Sequence, residues 1–322
     1  MEPDVSIIIV SWNCRDAMAD CLASLEAYEG TVSFETIVVD NASRDDTVAL
    51  VAERFGSVRR IANQTNRGFA AASNQGFLVA RGRNILFLNP DTVVLAGALD
   101  VLVKTLDEAP DIGACGPRIE NPDGTTQRSV RSLPTFAALL HQYTPLRALR
   151  VLKPLYRQYK MADFDYDNSA DVDTLMGAAL CVPRKVLAEV GVLDERFFVY
   201  FEEVDLCCRL IRSGYRVRFA ADARITHVGG VSASRGLARV YLFRSLFAYL
   251  RKHHGRVAGW AMAGALAAGM FVRQGALFVT AALSSLILLM LGQGAAARHH
   301  LHRARSSARF LTRDGWLMLL HN

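Results

Sequence analysis

Two apolar runs in the first hundred residues end on a carboxylate. Asn84-Ile85-Leu86-Phe87-Leu88 runs into the turn Asn89-Pro90-Asp91-Thr92, and Thr36-Ile37-Val38-Val39 runs into Asp40. In an open α/β sheet, ligands bind in the crevice beyond the carboxyl ends of the strands, whereas an unpaired carboxylate in a packed core is costly. The two acids therefore point to a site for a nucleotide and a metal. Asp40 is placed to accept hydrogen bonds from a ribose hydroxyl or a base N–H. Asp91 offers oxygen to a hard cation such as Mg2+ or Mn2+. A third group follows later, where Phe197-Phe198-Val199-Tyr200-Phe201 leads straight into Glu202 and Glu203. A carboxylate against an aromatic wall has a raised pKa and suits a general base. Each group also has a plainer reading. Asp40 and Asp91 can cap the helices after them, acids favour a helix's first turn, and Asp205 and Arg209 are spaced as an i,i+4 pair.

The elements that must position these groups alternate in type. Val5–Val10 is β-branched and reads as a buried first strand, followed by a helical pattern over Cys14–Tyr28. Thr36–Asp40 is a second strand, and a polar loop then opens a helix near Val48. Val58–Ile61 is a weak third strand, Ala70–Arg81 a helix of small residues, Ile85–Leu88 a fourth strand, and Ala96–Asp107 a helix. This alternation predicts a parallel, doubly wound α/β sheet. Ile112–Pro117 and Met176–Val182 read as further strands, and acidic Glu202 opens a helix reaching about Ile211. In Asn66-Arg67-Gly68-Phe69-Ala70-Ala71-Ala72-Ser73-Asn74, Gly68 allows a close backbone approach. The small residues after it suit a helix N-terminus under a diphosphate, and tight helix–sheet packing would use the same residues.

Charge is unevenly spread. From Val240 onward ten Lys/Arg face a single acid, Asp314, while the remainder carries 27 basic and 30 acidic residues. That asymmetry marks the C-terminal part as meeting something anionic, and its apolar content favours a membrane surface over nucleic acid. Arg128–Lys160 is basic and partly amphipathic, either a solvated face or a segment touching lipid or phosphate. Val257–Val272 and Gly275–Ala297 lack charge, with Arg273 between them. The second is long enough to span a bilayer, but basic residues flank both sides, so charge sets no orientation. An inserted hairpin, in-plane helices and buried soluble helices all fit. The six cysteines show no metal-binding spacing and read as reduced, buried thiols. The chain enters a strand at once without a signal-peptide pattern, so the catalytic part is expected in the cytoplasm.

Five segments in order carry a resemblance. They are Val5-Ser6-Ile7-Ile8-Ile9-Val10-Ser11-Trp12-Asn13, Val38-Val39-Asp40-Asn41-Ala42-Ser43, Asn66-x-Gly68-Phe69-Ala70, Phe87-Leu88-Asn89-Pro90-Asp91-Thr92 and Phe197-Phe198-x-Tyr200-x-Glu202-Glu203-x-Asp205-Leu206. Over about residues 4–230 the chain resembles the family 2 inverting glycosyltransferases of GT-A fold, in particular the bacterial rhamnosyltransferase branch acting on polyprenyl-diphosphate-linked sugars. The resemblance implies a GT-A catalytic domain with a mostly parallel central sheet over residues 1–235, and membrane-associating helices over 236–322. It implies that Asp40, Asn41, Asn66, Gly68, Phe69, Asn74 and Asn89 bind the donor nucleotide. Asp91 matches the metal carboxylate of an Asp-x-Asp element whose first acid is Asn89 here. His227, in Ile225-Thr226-His227-Val228-Gly229-Gly230, matches a histidine that completes the site for Mg2+ or Mn2+. The family base is the Asp of a Glu-Asp pair; Glu203 stands at that position, one methylene longer, with Glu202 as the alternative. Thr174-Leu175-Met176-Gly177-Ala178 lacks the Trp often found before the Gly-Ala strand.

The implied reaction is a single displacement that moves a sugar from a nucleotide-sugar donor, dTDP-rhamnose by the branch, to a lipid-linked glycan acceptor. Its expected place is the cytoplasmic face of the cell membrane, and a homo-oligomer is compatible with it. Galactofuranosyl, mannosyl and N-acetylglucosaminyl enzymes share these motifs, because one methyl or hydroxyl is read by few pocket contacts. A nucleotidyltransferase would want a Gly-rich basic segment near the N-terminus, which Val5–Arg15 lacks. A non-catalytic membrane scaffold would have no use for Asp91, Glu202 and Glu203.

Overall fold

The computed structural model describes residues 2–229 and 235–319. In chain order the elements are β1 (Val5–Ser11), α1 (Arg15–Glu26), β2 (Phe34–Asp40), α2 (Thr47–Arg54), β3 (Arg59–Ala62), α3 (Phe69–Val79), β4 (Asn84–Leu88), β5 (Thr92–Val94), α4 (Ala98–Asp107), β6 (Ile112–Glu120) and β7 (Val130–Arg131). They continue with α5 (Phe136–Tyr143), α6 (Lys153–Tyr159), β8 (Ala170–Val172), β9 (Thr174–Leu175), β10 (Ala179–Pro183), α7 (Arg184–Val190), α8 (Glu202–Arg212) and β11 (Arg216–His227). The last helices are α9 (Arg235–His253), α10 (Arg256–Met290), α11 (Gly294–Arg309) and α12 (Gly315–Leu319).

The chain forms two compact units, residues 1–133 with 161–233, and residues 134–160 with 234–322. The first holds a nine-stranded sheet in the order β3-β2-β1-β4-β10-β6-β11-β5, with β8 also on β11. β3, β2, β1, β4, β6 and β11 run one way, and β10, β5 and β8 run against them. The sheet is thus mixed but mostly parallel, as expected. Both its faces are covered, which is why its strands read as continuous apolar runs. Ile7, Ile9, Leu86 and Leu88 pack with α1 and α4 on one side. Ile8, Val10, Ile85 and Phe87 pack with α3, α7 and α8 on the other. Helix α3 lies so close that a Cβ on Gly76 would stand 2.5 Å from Ile8 Cγ2. The six cysteines are free and buried. Burial pushes the Cys14, Cys21 and Cys207 thiols up to about 12, so they stay protonated.

Five strands escape the sequence pattern: β5, β7, β8, β9 and β11. The three-residue β5 follows the Asp91 turn, and β11 ends on His227, which the sequence places in a loop. The charges along β11 hide its strand character, because Arg216, Arg218 and Arg224 point to acids on neighbouring segments. They pair with Asp111 at 2.7 Å, Asp171 at 3.1 Å and Glu120 at 2.7 Å.

The second unit joins α5 and α6 to the C-terminal helices, whereas a division at 235/236 leaves them in the first. Tyr143 meets Phe243 edge-on with ring centroids 4.9 Å apart, and a Cβ on Gly269 would stand 2.6 Å from Thr144 Cγ2. The first uncharged stretch and the second as far as Met290 form one helix, and the second stretch ends in the first turn of α11. α10 runs through Arg273, whose guanidinium donates to the Gln142 carbonyl at 2.9 Å. It is 35 residues long and by length and composition could cross a membrane.

Candidate active site

Strand directions gather the acidic residues on one edge of the sheet. Asp40 ends β2, the Asn89–Asp91 turn follows β4, and His227 ends β11, all strands that run the same way. Antiparallel β10 begins at that edge, and there the Asn89 amide donates to the Ala178 carbonyl at 2.9 Å. Next to it Gly177 faces Glu203, whose Cγ would lie 3.5 Å from a Cβ built on the glycine. The Asp91 turn and the Glu203 side chain are therefore tied to adjacent residues of one strand entry. This is the crevice beyond the strands' carboxyl ends where α/β sheets hold ligands.

Asp91 is buried, and its Oδ1 lies 3.4 Å from His227 Nε2. Its backbone carbonyl accepts from the Val228 amide at 2.9 Å, which locks the turn against the end of β11. On the far side of the ring, His227 Nδ1 meets Gln127 Oε1 at 3.2 Å. A carboxylate oxygen and an imidazole nitrogen converging this way suit a divalent cation whose other ligands are phosphate and water oxygens. No cluster of three or more His, Cys, Asp or Glu capable of holding a metal occurs among the described residues. Asp91 and His227 would then be the protein's share of the coordination. Gln127 is a residue that the sequence reading does not single out, though the Pro122-Asp123-Gly124 turn signal lies just before it.

The residues expected to bind the nucleotide are heavily tied to one another. Asp40 accepts from Ser11 Oγ at 2.8 Å and from the Ser43 amide at 2.9 Å. Asn41 donates to the Gly68 carbonyl at 3.0 Å and accepts from Asn63 Nδ2 at 3.0 Å. Asn66 Oδ1 takes the Gly68 amide at 2.9 Å. Gly68 has φ +85, and a Cβ there would stand 2.5 Å from the Phe198 carbonyl oxygen, which also accepts the Phe69 amide at 2.6 Å. The close backbone approach allowed by Gly68 is thus filled by the aromatic segment before Glu202. Asn74 reaches the same segment through Leu193 O at 2.8 Å and Glu195 Oε1 at 3.1 Å. This web fixes the aromatic run relative to Asp40.

Two consecutive left-handed residues, Tyr200 and Phe201 at φ 69 and 70, turn that run into α8. Non-glycine residues adopt this conformation at a cost, and such strain collects at functional sites. It delivers Glu202 and Glu203 to the helix's first turn. Glu202 is 5% exposed, Glu203 only partly buried, and each has an Oε2 that is buried without a hydrogen-bond partner. Burial pushes both carboxyls up, Glu202 further because the Glu203 charge adds to it. Backbone amides of α8's first turn pull Glu203 partly back. The two carboxyls therefore titrate as a pair, in which ionising both together is costly. Asp205, fully buried, has a structural partner in Arg209 at 2.9 Å.

A folded carboxyl raised above its unfolded value lowers stability as pH climbs past the ordinary carboxylate range. Glu202→Gln is accordingly expected to unfold like wild type near pH 4. At pH 8 it should be the more stable of the two, because glutamine has no proton to lose in the alkaline range. Thermal unfolding across that range checks it; an equal gain at both pH values would mean Glu202 does not titrate in this way.

The chain is similar to several known proteins. An N-acetylglucosaminyl-diphospho-decaprenol L-rhamnosyltransferase of Mycobacterium tuberculosis is 28% identical over 79% of this chain and 85% of its own. A low-salt glycan biosynthesis hexosyltransferase of Haloferax volcanii is 24% identical over 77% of this chain and 75% of its own. Among solved structures, a mannosyltransferase of Pyrobaculum calidifontis in complex with GDP-Man and Mn2+ superposes with a TM-score of 0.56. At 18% identity it covers 98% of this chain and 88% of that one, which supports the GT-A-like fold. The model of glycosyl transferase family 2 matches residues 6–170, from β1 through the Asp91 turn and beyond. Glycosyl transfer, rather than nucleotidyl transfer or scaffolding, is the activity that follows, for the chain belongs to glycosyl transferase family 2.

Proposed function

We propose that this glycosyltransferase is inverting and metal-dependent, and moves L-rhamnose from dTDP-rhamnose to a polyprenyl-diphosphate-linked saccharide. The observation that carries the mechanism is the placement of Glu203, a raised carboxylate, on the sheet edge that also bears the Asp91–His227 pair. Glu203 takes the proton of an acceptor hydroxyl, whose oxygen attacks the anomeric carbon from the face opposite the nucleoside diphosphate. The new glycosidic bond forms as the bond to the diphosphate breaks, and the configuration inverts. A divalent cation held by Asp91 and His227 would supply charge stabilisation for the departing diphosphate. Asp40 orients the nucleoside, with its carboxylate steadied by Ser11 and Ser43. The name and coverage of the mycobacterial relative support the sugar and the lipid carrier.

The test is transfer from a panel of nucleotide sugars to a polyprenyl-diphosphate-linked N-acetylglucosamine. Transfer from dTDP-rhamnose with an inverted anomeric centre is expected. Exclusive use of a galactofuranosyl, mannosyl or N-acetylglucosaminyl donor would replace the rhamnose assignment, and retained configuration would remove Glu203 as base.

The second unit supports work at the cytoplasmic face of a membrane. Past Arg273, α10 exposes Phe278, Leu283, Leu286, Ile287, Leu289 and Met290, and basic α11 follows. An apolar face beside clustered basic residues binds anionic lipid surfaces. The chain is expected to fractionate with membranes; recovery in the soluble fraction at low salt would overturn this placement.

A further inference from the structure

Beyond β6 the chain reverses through Asn121-Pro122-Asp123-Gly124-Thr125, with Gly124 at φ +82, and returns antiparallel so that the Gln127 amide donates to the Ile119 carbonyl at 2.8 Å. This hairpin carries a chain of side-chain hydrogen bonds that ends on His227. The Thr125 hydroxyl donates to Asp123 Oδ1 at 2.6 Å, and Asn121 Nδ2 donates to Thr125 Oγ1 at 2.8 Å. Gln127 Nε2 donates to Asn121 Oδ1 at 2.8 Å and to the His227 backbone carbonyl at 2.6 Å.

The direction of every bond in this chain is forced. An ionised carboxylate only accepts, and the Thr125 contacts hold Asp123 below the usual carboxylate range. The single hydroxyl proton of Thr125 therefore goes to Asp123, so Thr125 accepts from the Asn121 amide nitrogen. That turns the Asn121 oxygen toward Gln127. A backbone carbonyl likewise only accepts, so the His227 carbonyl independently demands the Gln127 nitrogen on the same side. Both ends agree, and Gln127 Oε1 is left facing His227 Nδ1 at 3.2 Å. An amide oxygen cannot donate, so this hydrogen bond requires a proton on Nδ1. That leaves Nε2, 3.4 Å from Asp91 Oδ1, as the nitrogen whose lone pair a cation can take. A lone pair facing a carboxylate is repelled by it; a shared divalent cation turns that repulsion into coordination.

We propose that Gln127 is the positioning residue of the metal site, holding His227 in the Nδ1–H tautomer so that Nε2 and Asp91 are ready to share one cation. The proposal rests on the reading of Asp91 and His227 as the metal ligands. A hydrogen bond to the non-ligating nitrogen of a metal-binding histidine orients the ring and raises its basicity.

The experiment uses the full chain labelled with 15N-histidine, stripped of metal and held at pH 8, with the His227 signals identified by their loss in His227→Gln. Two-bond proton–nitrogen spectra should show a protonated Nδ1 and a bare Nε2. In Gln127→Leu the proton should move toward Nε2, drawn by Asp91. The affinity for Mn2+ alone, followed by the electron paramagnetic resonance of the free ion, should fall about 10–100-fold. An Nε2–H ring in the wild type, or wild-type tautomer and Mn2+ affinity in Gln127→Leu, would overturn the proposal. Unchanged Mn2+ affinity in Asp91→Ala would instead remove the metal reading, while the tautomer measurement still decides the role of Gln127.

Discussion

Glu203→Gln is expected to lower kcat about 10²–10⁴-fold, the usual worth of a general base, with the donor KM almost unchanged. Glutamine preserves the size of the side chain against Gly177 and the helix turn that carries it, so the loss reports proton transfer rather than packing. A fall in kcat and kcat/KM together marks an interaction made in the transition state. Glu202→Gln should cost less, because Glu202 is the more deeply buried of the two and so the less open to an acceptor hydroxyl. The pH profile follows with the same sign. Glu203 must be ionised to act, and burial raises its pKa, so the acid limb of kcat should lie above the pH at which an ordinary glutamate titrates. Steady-state kinetics of both variants across pH decides the assignment. Wild-type turnover in Glu203→Gln would end its role as base, and a larger loss in Glu202→Gln would transfer that role to its neighbour.

Much of this site could be read before the fold was known, for a physical reason. Strands buried on both faces need unbroken apolar runs, so β1, β2 and β4 stand out, and so do the acids that terminate them. Glu202 and Glu203 are conspicuous because three acids follow five residues of mostly aromatic chain. What stayed hidden depends on partners distant in sequence. β11 alternates arginines with apolar residues, and those arginines make sense only beside Asp111, Asp171 and Glu120. Gly68 reads as an opening for a ligand until Phe198 is seen against it. Arg273 reads as a break between two helices, yet its guanidinium is met by the Gln142 carbonyl and α10 runs on through it. Gln127 is an ordinary polar residue on a hairpin until His227 arrives from the far end of the unit.

Asp91→Ala is the second large effect expected, a loss of about 10²–10³-fold in kcat, comparable to removing one electrostatic contact to a developing negative charge. The turn itself should survive the substitution, because its supports are mostly backbone. Asn89 N–H still reaches Ala178, Thr92 Oγ1 still donates to the Asn89 carbonyl at 2.7 Å, and Val228 N–H still reaches the Asp91 carbonyl. The melting temperature should therefore stay close to that of the wild type while turnover falls. Asp91→Asn separates charge from shape, since it keeps an oxygen near His227 Nε2 but loses the negative charge that a divalent cation needs. If Asp91 only capped the turn, asparagine would restore activity, because asparagine caps as well as aspartate. If it holds the cation, Asp91→Asn should remain nearly as slow as alanine and respond weakly to added Mn2+. With Asn89 standing where relatives of this kind can carry a first acid, no neighbouring carboxylate in the Asn89-Pro90-Asp91 element can substitute. The dependence on Asp91 should accordingly be steep, and full turnover in Asp91→Ala would remove it from the chemistry.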